Sequence, residues 1–519
     1  MDRRQVLKDS LAGLAYLALT GNSSSALAAT SKIMRGNSSA PMDPFVGLDA
    51  TAQAALVRKG EVSALELVDA AINRIKRLNP QINAVIHTMF DLAREQAKSN
   101  DIPDGHFKGV PYLIKDLSDL AGQPLEHGSR LYQGNIASHD LGAVERAKKA
   151  GLIILGKTNT PEFGLMASTE PLLHGASKNP WDIKRHTGGS SGGAAAAVAS
   201  GMVPFAHASD GGGSIRIPAS VCGLVGLKPS SGRLYKADGE DSKLSADIVC
   251  RLGLSRSVRD TARLLDISER KDRACEFRPV GMVTGSSSRR LKIAFSTSNQ
   301  FGKKAEPEVQ NAIEQTAKLC SDLGHEIIED RPVADPEEFL ENFMGVWAQG
   351  PYRLVRYAPL IGLTQLKWIS AEEGLEPWTR GLADWYEKQE SKNPGVIKRA
   401  TRYFASMQRD YDDFFSTYDV ELTPVLRTPP VKLGEHNPNV QFDILFERIV
   451  DYVSYTPQHN AAGTPAISLP LFQSTQGLPI GSQFAANRGN ERTLLELAYE
   501  LESVLPWANR WAKHSAFYS

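Results

Sequence analysis

Short apolar runs alternate with stretches of helical character along most of this chain. VPYLI at 110–114, LIILG at 152–156, MVPFAHA at 202–208, LKIAFS at 291–296 and VELTPVL at 420–426 have the composition of buried strands. Ser63 and Glu66 form a capping box in front of ALELVDAAINRIKRL, a helix expected to stop at Pro80 because proline has no N–H to continue the ladder. The alternation predicts an α/β layered architecture on a largely parallel or mixed sheet. Residues 255–415 are richer in helix and in aromatic side chains, including Trp347, Trp368, Trp378 and Trp385. Aromatics at helical spacing are more often core than ligand wall, so each tryptophan is read first as core.

With 519 residues, 41% of them hydrophobic, the chain can bury a large core and exceeds the usual size of one compact domain. No Pro/Ser linker or charge block divides it. Lys+Arg and Asp+Glu both number 59, the net charge is zero and no basic stripe forms, which argues against a nucleic-acid partner. No run of about 20 apolar residues suggests an internal membrane span. The first residues are laid out differently. Arg3 and Arg4 precede a short apolar run near 11–20 and a small-residue site at Ala26-Leu27-Ala28, the arrangement of a twin-arginine export signal cleaved before Ala29. Residues 1–28 are therefore expected to be a signal peptide and 29–42 a polar disordered segment, with the mature protein, from 43 to 519, periplasmic or secreted. The competing reading is an exposed basic amphipathic helix on a cytoplasmic protein. Cys222, in the apolar SVCGLVGLKP, is expected to be buried, and Cys250, Cys275 and Cys320 have no framework spacing, so the disulfide state is left open.

The candidate chemistry lies in two glycine runs and one strand. Ser190 sits in GGSSGGAAAA, and Ser214 ends SDGGGS, 24 residues later and 99 residues after Lys115 of GVPYLIKDL. Glycines let backbone approach a substrate and aim successive N–H groups at one point, making Gly211, Gly212, Gly213 and Ser214 candidate oxyanion donors. The plainer reading is a loop that merely turns. Lys115 closes an apolar strand; burial favours its neutral amine and would make it a base, unless it simply pairs with Asp116 or Asp119. GGSSG at 188–192 also satisfies G-x-S-x-G, which would make Ser190 the nucleophile of a histidine triad. The preceding NPWDIKRHTGG offers no apolar strand for such an elbow, and His186 and His207 fall in the wrong order. The sequence has no H-E-x-x-H, C-x-x-C or phosphate-loop motif and its eleven histidines are scattered, so neither metal nor cofactor is expected.

In order and spacing, GVPYLIKDL, GKTNTPEFG, GGSSGGAAAAVASG, SDGGGSIRIPASVCGLVGLKPS and NAAGTPAISLPLFQSTQGLPIGSQ resemble the motifs of the amidase signature family across most of residues 48–506. DATAQAALVRKGEVSALELVDAAINRIKRLNPQINAVI and LESVLPW are similar to the branch that hydrolyses linear amides and the cyclic dimer of 6-aminohexanoate. The resemblance implies a large mixed sheet wrapped by helices, a signature core at about 109–235 and a helical, pocket-forming region at about 255–415. It implies an amide hydrolase acting on non-peptide or peptide-terminal C–N bonds of a small-molecule amide. Ser214 would be the nucleophile, Ser190 on a cis Gly189–Ser190 peptide the proton relay and Lys115 the base, with an acyl-enzyme intermediate. Ser191, Asp210 and Arg216 would support the hydroxyl network and the loop; their plainer reading is loop and helix capping. Gly211 departs from the larger residue usual there, which implies a looser loop. An amidotransferase A-type subunit, which needs partners, and a non-catalytic amidase-like scaffold are the alternatives.

Overall fold

In this computed structural model the chain is described over residues 43–99, 101–235, 248–364 and 369–519; the expected signal at 1–28, the polar segment at 29–42 and Trp368 lie outside the described residues. The chain divides into two units, 1–47 and 48–519. The described part of the first, 43–47, forms a turn, and all other described elements belong to the second.

Three strands form one small sheet. They are β1 (Val85–Thr88), β2 (Pro111–Lys115) and β3 (Ile153–Thr158), in the order β1-β3-β2, with β2 parallel and β1 antiparallel to β3. A polar hairpin follows, β4 (Lys178–Asn179) with β5 (Asp182–His186). The large sheet takes β6 (Phe205–Asp210), β7 (Val225–Lys228), β8 (Cys250–Ser255), β9 (Lys292–Phe295), β10 (Glu326–Glu329), β11 (Val420–Pro424), β12 (Ala466–Gln473) and β13 (Pro479–Ala486). Its order is β10-β9-β11-β13-β12-β7-β8-β6. β9 runs parallel to β10 and β11, and every pairing from β11 to β6 is antiparallel, so the sheet is mixed.

The five apolar runs become β2, β3, β6, β9 and β11. β2, β3 and β6 are buried along their whole length, which explains why they read as unbroken apolar runs rather than alternating ones. β2 packs beside β6, with the Tyr112 and Phe205 rings 4.9 Å apart. Lys115 and Asp210 both close their strands, and this packing brings the two strand ends together. The Ser63–Glu66 capping box forms as expected, but its helix, Ala64–Ile82, runs two residues past Pro80. In the last turn proline removes one ladder bond only, and the stop comes at Asn83, whose φ of 55° is left-handed and whose N–H donates to Asn79 O.

Two short helices follow the serine motifs. Gly192–Ala199 is buried on every side, as its sequence GGAAAAVA allows; a Cβ on Gly193 would run into the backbone of Asn159. Arg216–Cys222 is likewise fully buried and ends at Gly223, φ 71°. Cys222, Cys250 and Cys320 are buried, and all four cysteines are free thiols. The helices expected over 255–415 are present, the longest being Pro336–Thr364, with β9 and β10 set among them. No helix of the described residues is long and apolar enough to cross a membrane.

Candidate active site

Three hydroxyls surround the buried Lys115. Its Nζ lies 2.6 Å from Ser190 Oγ, 2.9 Å from Ser191 Oγ and 3.0 Å from Ser209 Oγ. The ion pairs offered as the plainer reading do not form, because Asp116 faces Lys157 at 3.4 Å and Asp119 faces His139 at 3.8 Å. Burial drives the Lys115 amine well below its ordinary pKa; Asp210 opposes that shift and Arg251 adds to it. A neutral amine has two N–H donors and one lone pair. Ser191 Oγ already donates to Ser209 O and accepts from Ser209 N–H, so toward Lys115 it acts as an acceptor. Ser191 stands at the N-cap of Gly192–Ala199 yet makes no capping hydrogen bond; its hydroxyl is spent on this network instead.

The Gly189–Ser190 peptide is cis, as the resemblance implies. A Cβ on Gly189 would overlap the carbonyl of Met166, so backbone packs directly on this peptide. The histidine-triad reading of GGSSG fails on its geometry. The strand before it, β5, belongs to the polar hairpin; His186 Nδ1 accepts from Gly188 N–H, and the hydroxyl of Ser190 faces an amine.

Asp210 organises the second glycine loop. Its Oδ1 accepts from Gly213 N–H at 2.7 Å, and its Oδ2 accepts from Ile215 N–H at 3.2 Å. Arg216 grips both oxygens at 3.0 Å. Burial alone would raise this carboxyl, but the guanidinium, with help from Lys228 and Asn460, holds it well below the usual carboxylate range. Arg216 also donates to Thr456 O, Gln483 Oε1 and Asn460 Oδ1. Gly213 was expected among the oxyanion donors, but its N–H is committed to Asp210. Among the described residues the N–H groups of Gly211, Gly212 and Ser214 have no intramolecular partner.

Gly211 was expected to loosen this loop. The structure fills the space instead: a Cβ on Gly211 would come within 3.2 Å of Val249 and 3.4 Å of the Trp347 ring, and one on Gly212 within 3.2 Å of Phe343. Gly213 has φ 128°, and a Cβ there would overlap the Thr456 hydroxyl, which itself donates to Gly212 O. Gly213→Ala is therefore expected to cost about 1–3 kcal/mol of stability and to lower turnover together with it, read from melting curves and kcat.

Ser214 and Gly212 border a cavity of about 700 Å³, its open mouth included, whose far walls come from Pro336–Thr364 and Phe442–Tyr452. The pocket-forming region thus extends beyond 255–415. Trp347 and Trp378 line the cavity, whereas Trp385 stacks on Phe446 with centroids 6.4 Å apart.

Sequence reading missed Ser209, Thr456, Asn460 and Gln483, and it missed one cluster away from this loop. His87 and His174 lie 2.9 and 3.0 Å from the Glu126 carboxylate. Burial would raise the Glu126 carboxyl; the nearby His174 and His87 imidazoles and a hydrogen bond from Gly134 N–H outweigh it and hold the group well below its usual range. This is the one group of possible metal ligands among the described residues, a carboxylate flanked by two imidazoles.

The family model described as Amidase matches residues 66–495. AmiC of Mycobacterium tuberculosis, which carries an amidase name, is 39% identical over 475 residues, covering 91% of this chain and 98% of its own. The 6-aminohexanoate-cyclic-dimer hydrolase of a Pseudomonas species is 35% identical over 489 residues, covering 89% and 96%. A solved structure of 6-aminohexanoate cyclic dimer hydrolase complexed with substrate superposes with a TM-score of 0.82 at 33% identity, over 90% of this chain and 99% of that one.

Proposed function

Since this chain belongs to the amidase signature family and is an amide hydrolase for small-molecule substrates, we propose that it cleaves the amide through Ser214, with Ser190 and Lys115 moving the proton. One observation carries this reading: a fully buried lysine whose amine meets three hydroxyls, the nearest being Ser190 on a cis peptide. A charged ammonium has no lone pair to offer. The neutral amine donates to Ser191 and Ser209 and keeps its lone pair for the O–H of Ser190.

In the forward step Ser214 Oγ attacks the amide carbonyl while its proton passes to Ser190 and that of Ser190 passes to Lys115. The oxyanion that forms accepts from the N–H groups of Gly211, Gly212 and Ser214. Lys115, now an ammonium, returns its proton through Ser190 to the leaving nitrogen. The C–N bond breaks and the acyl group remains on Ser214 as an ester. Water then repeats the sequence against the ester, releasing the carboxylic acid and restoring Ser214. Ser191, Ser209, Asp210 and Arg216 act as positioning residues: the first two fix the amine, the second two fix the glycine loop.

The pH profile tests the base. Activity requires neutral Lys115, so kcat/KM falls as pH drops through the folded-state pKa, which burial has lowered. The limb is expected well below the ordinary lysine value of about 10.4, with a plateau above it. A rate that keeps climbing to about pH 10 would rule out a depressed lysine as the base.

A further inference from the structure

Resting on that catalytic reading, we propose that the enzyme acts on uncharged amides whose pocket-bound part is an alkyl or aryl group, and that it excludes amides carrying an ammonium or carboxylate on that part.

The cavity begins at the nucleophile. Ser214, Gly189 and Gly212 form its floor, and no described side chain lining it is charged. Phe339, Phe343 and Trp347 occupy one face of Pro336–Thr364 at four-residue spacing. Their rings stack at 5.6 and 5.8 Å between centroids, with interplanar angles of 22° and 20°. This wall stands on the nucleophile loop itself, because Gly211 and Gly212 leave it the space that side chains would take. Met344, Phe446 and Ile449 continue the apolar lining. The indole N–H of Trp378 already donates to Leu165 O at 3.1 Å, and the uncharged amide of Gln300 is a polar side chain of the lining that could meet a neutral substrate group.

The charges closest to the catalytic groups offer no partner either. Asp210 and Arg216 pair with each other, and the amine of Lys115 is enclosed by the hydroxyls of Ser190, Ser191 and Ser209. A substrate charge drawn into this cavity would lose water and find no counter-ion, a cost much larger than the gain from burying its methylenes. A neutral ring or chain has only the gain. A lactam ring, an anilide or a simple alkyl amide is therefore admitted, whereas a linear ω-ammonium acyl amide must keep its charged end outside.

Three matched substrates test this. Hexananilide is neutral, 6-aminohexananilide carries an ammonium on the acyl side, and the hexanoyl amide of 4-(aminomethyl)aniline carries one on the amine side. At least one ammonium substrate is expected to have kcat/KM about 100-fold or more below hexananilide, identifying which side enters the pocket. Ile449→Glu, at a half-buried position of the lining, is expected to raise that substrate's kcat/KM relative to hexananilide by about tenfold, because it supplies the missing counter-charge. Both ammonium substrates reacting within about threefold of hexananilide, with a fluorophosphonate still labelling Ser214, would overturn the substrate class and leave the catalytic reading standing. If no amide is turned over and Ser214 resists the fluorophosphonate, the catalytic reading fails and the substrate class fails with it.

Discussion

Ser214→Ala is expected to lower kcat/KM by about 10⁴-fold or more, with a melting temperature close to wild type, and Lys115→Met by a similar factor, with a modestly lower melting temperature. The first removes the atom that forms the acyl ester. The second removes the lone pair that receives the proton; Ser191 still donates to Ser209 O and accepts from Ser209 N–H, whereas the hydroxyls of Ser190 and Ser209 lose the amine they face. Methionine also suits a pocket that already disfavours charge. Because the two residues act in one proton path, their losses are expected not to add. The double variant should be about as slow as the slower single one, with the residual rate coming from substrate binding and the N–H groups of Gly211, Gly212 and Ser214. A fully additive double variant would mean that the two side chains serve separate steps.

Arg216→Ala is expected to destabilise the fold by about 3–5 kcal/mol, read from denaturant unfolding, because it strands the buried carboxylate of Asp210. Acceptors at Thr456, Gln483 and Asn460 lose their donor at the same time. The penalty carries a pH signature. In wild type the Asp210 pKa is depressed, so its contribution is present above the unfolded carboxyl value and is lost only in strong acid. Without the guanidinium, burial raises that pKa above the unfolded value, and the variant is penalised increasingly as pH rises through it. The stability gap between the two proteins should therefore narrow between about pH 8 and pH 4. Arg216→Lys should recover only part of the loss, since one ammonium cannot span both oxygens and the three further acceptors.

Much of this site was legible because its local motifs carry their own geometry. The apolar run before Lys115 gave a buried strand, and the glycines around Ser190 and Ser214 gave close backbone approach. What was hidden depends on pairings between distant segments. Ser209 lies one residue before Asp210, and strand alternation sends it to the opposite face, toward Lys115; that inference needs β2 to lie beside β6, which no local pattern states. Asn460 and Gln483 open and close the motif NAAGTPAISLPLFQSTQGLPIGSQ, and both accept from Arg216, one on the short helix Pro457–Ala461 and the other on β13. The motif was visible in the sequence, and its purpose was not. Periodicity placed Trp347 and Trp378 on helices but could not say which helical face meets the nucleophile loop, nor that Phe442–Tyr452 completes the wall. Gly211 shows the same limit: it read as a loosened loop, and the space beside it is taken by Val249 and the Trp347 ring.

The central claim is the acyl ester on Ser214, and rapid acid quenching during turnover of hexananilide, followed by peptide mass spectrometry, tests it directly. The account predicts the hexanoyl mass on the peptide containing Ser214, absent from Ser214→Ala and discharged by water as the substrate is exhausted. Hexanoyl on the peptide containing Ser190, or continued turnover with no acylated serine at any time, would contradict it.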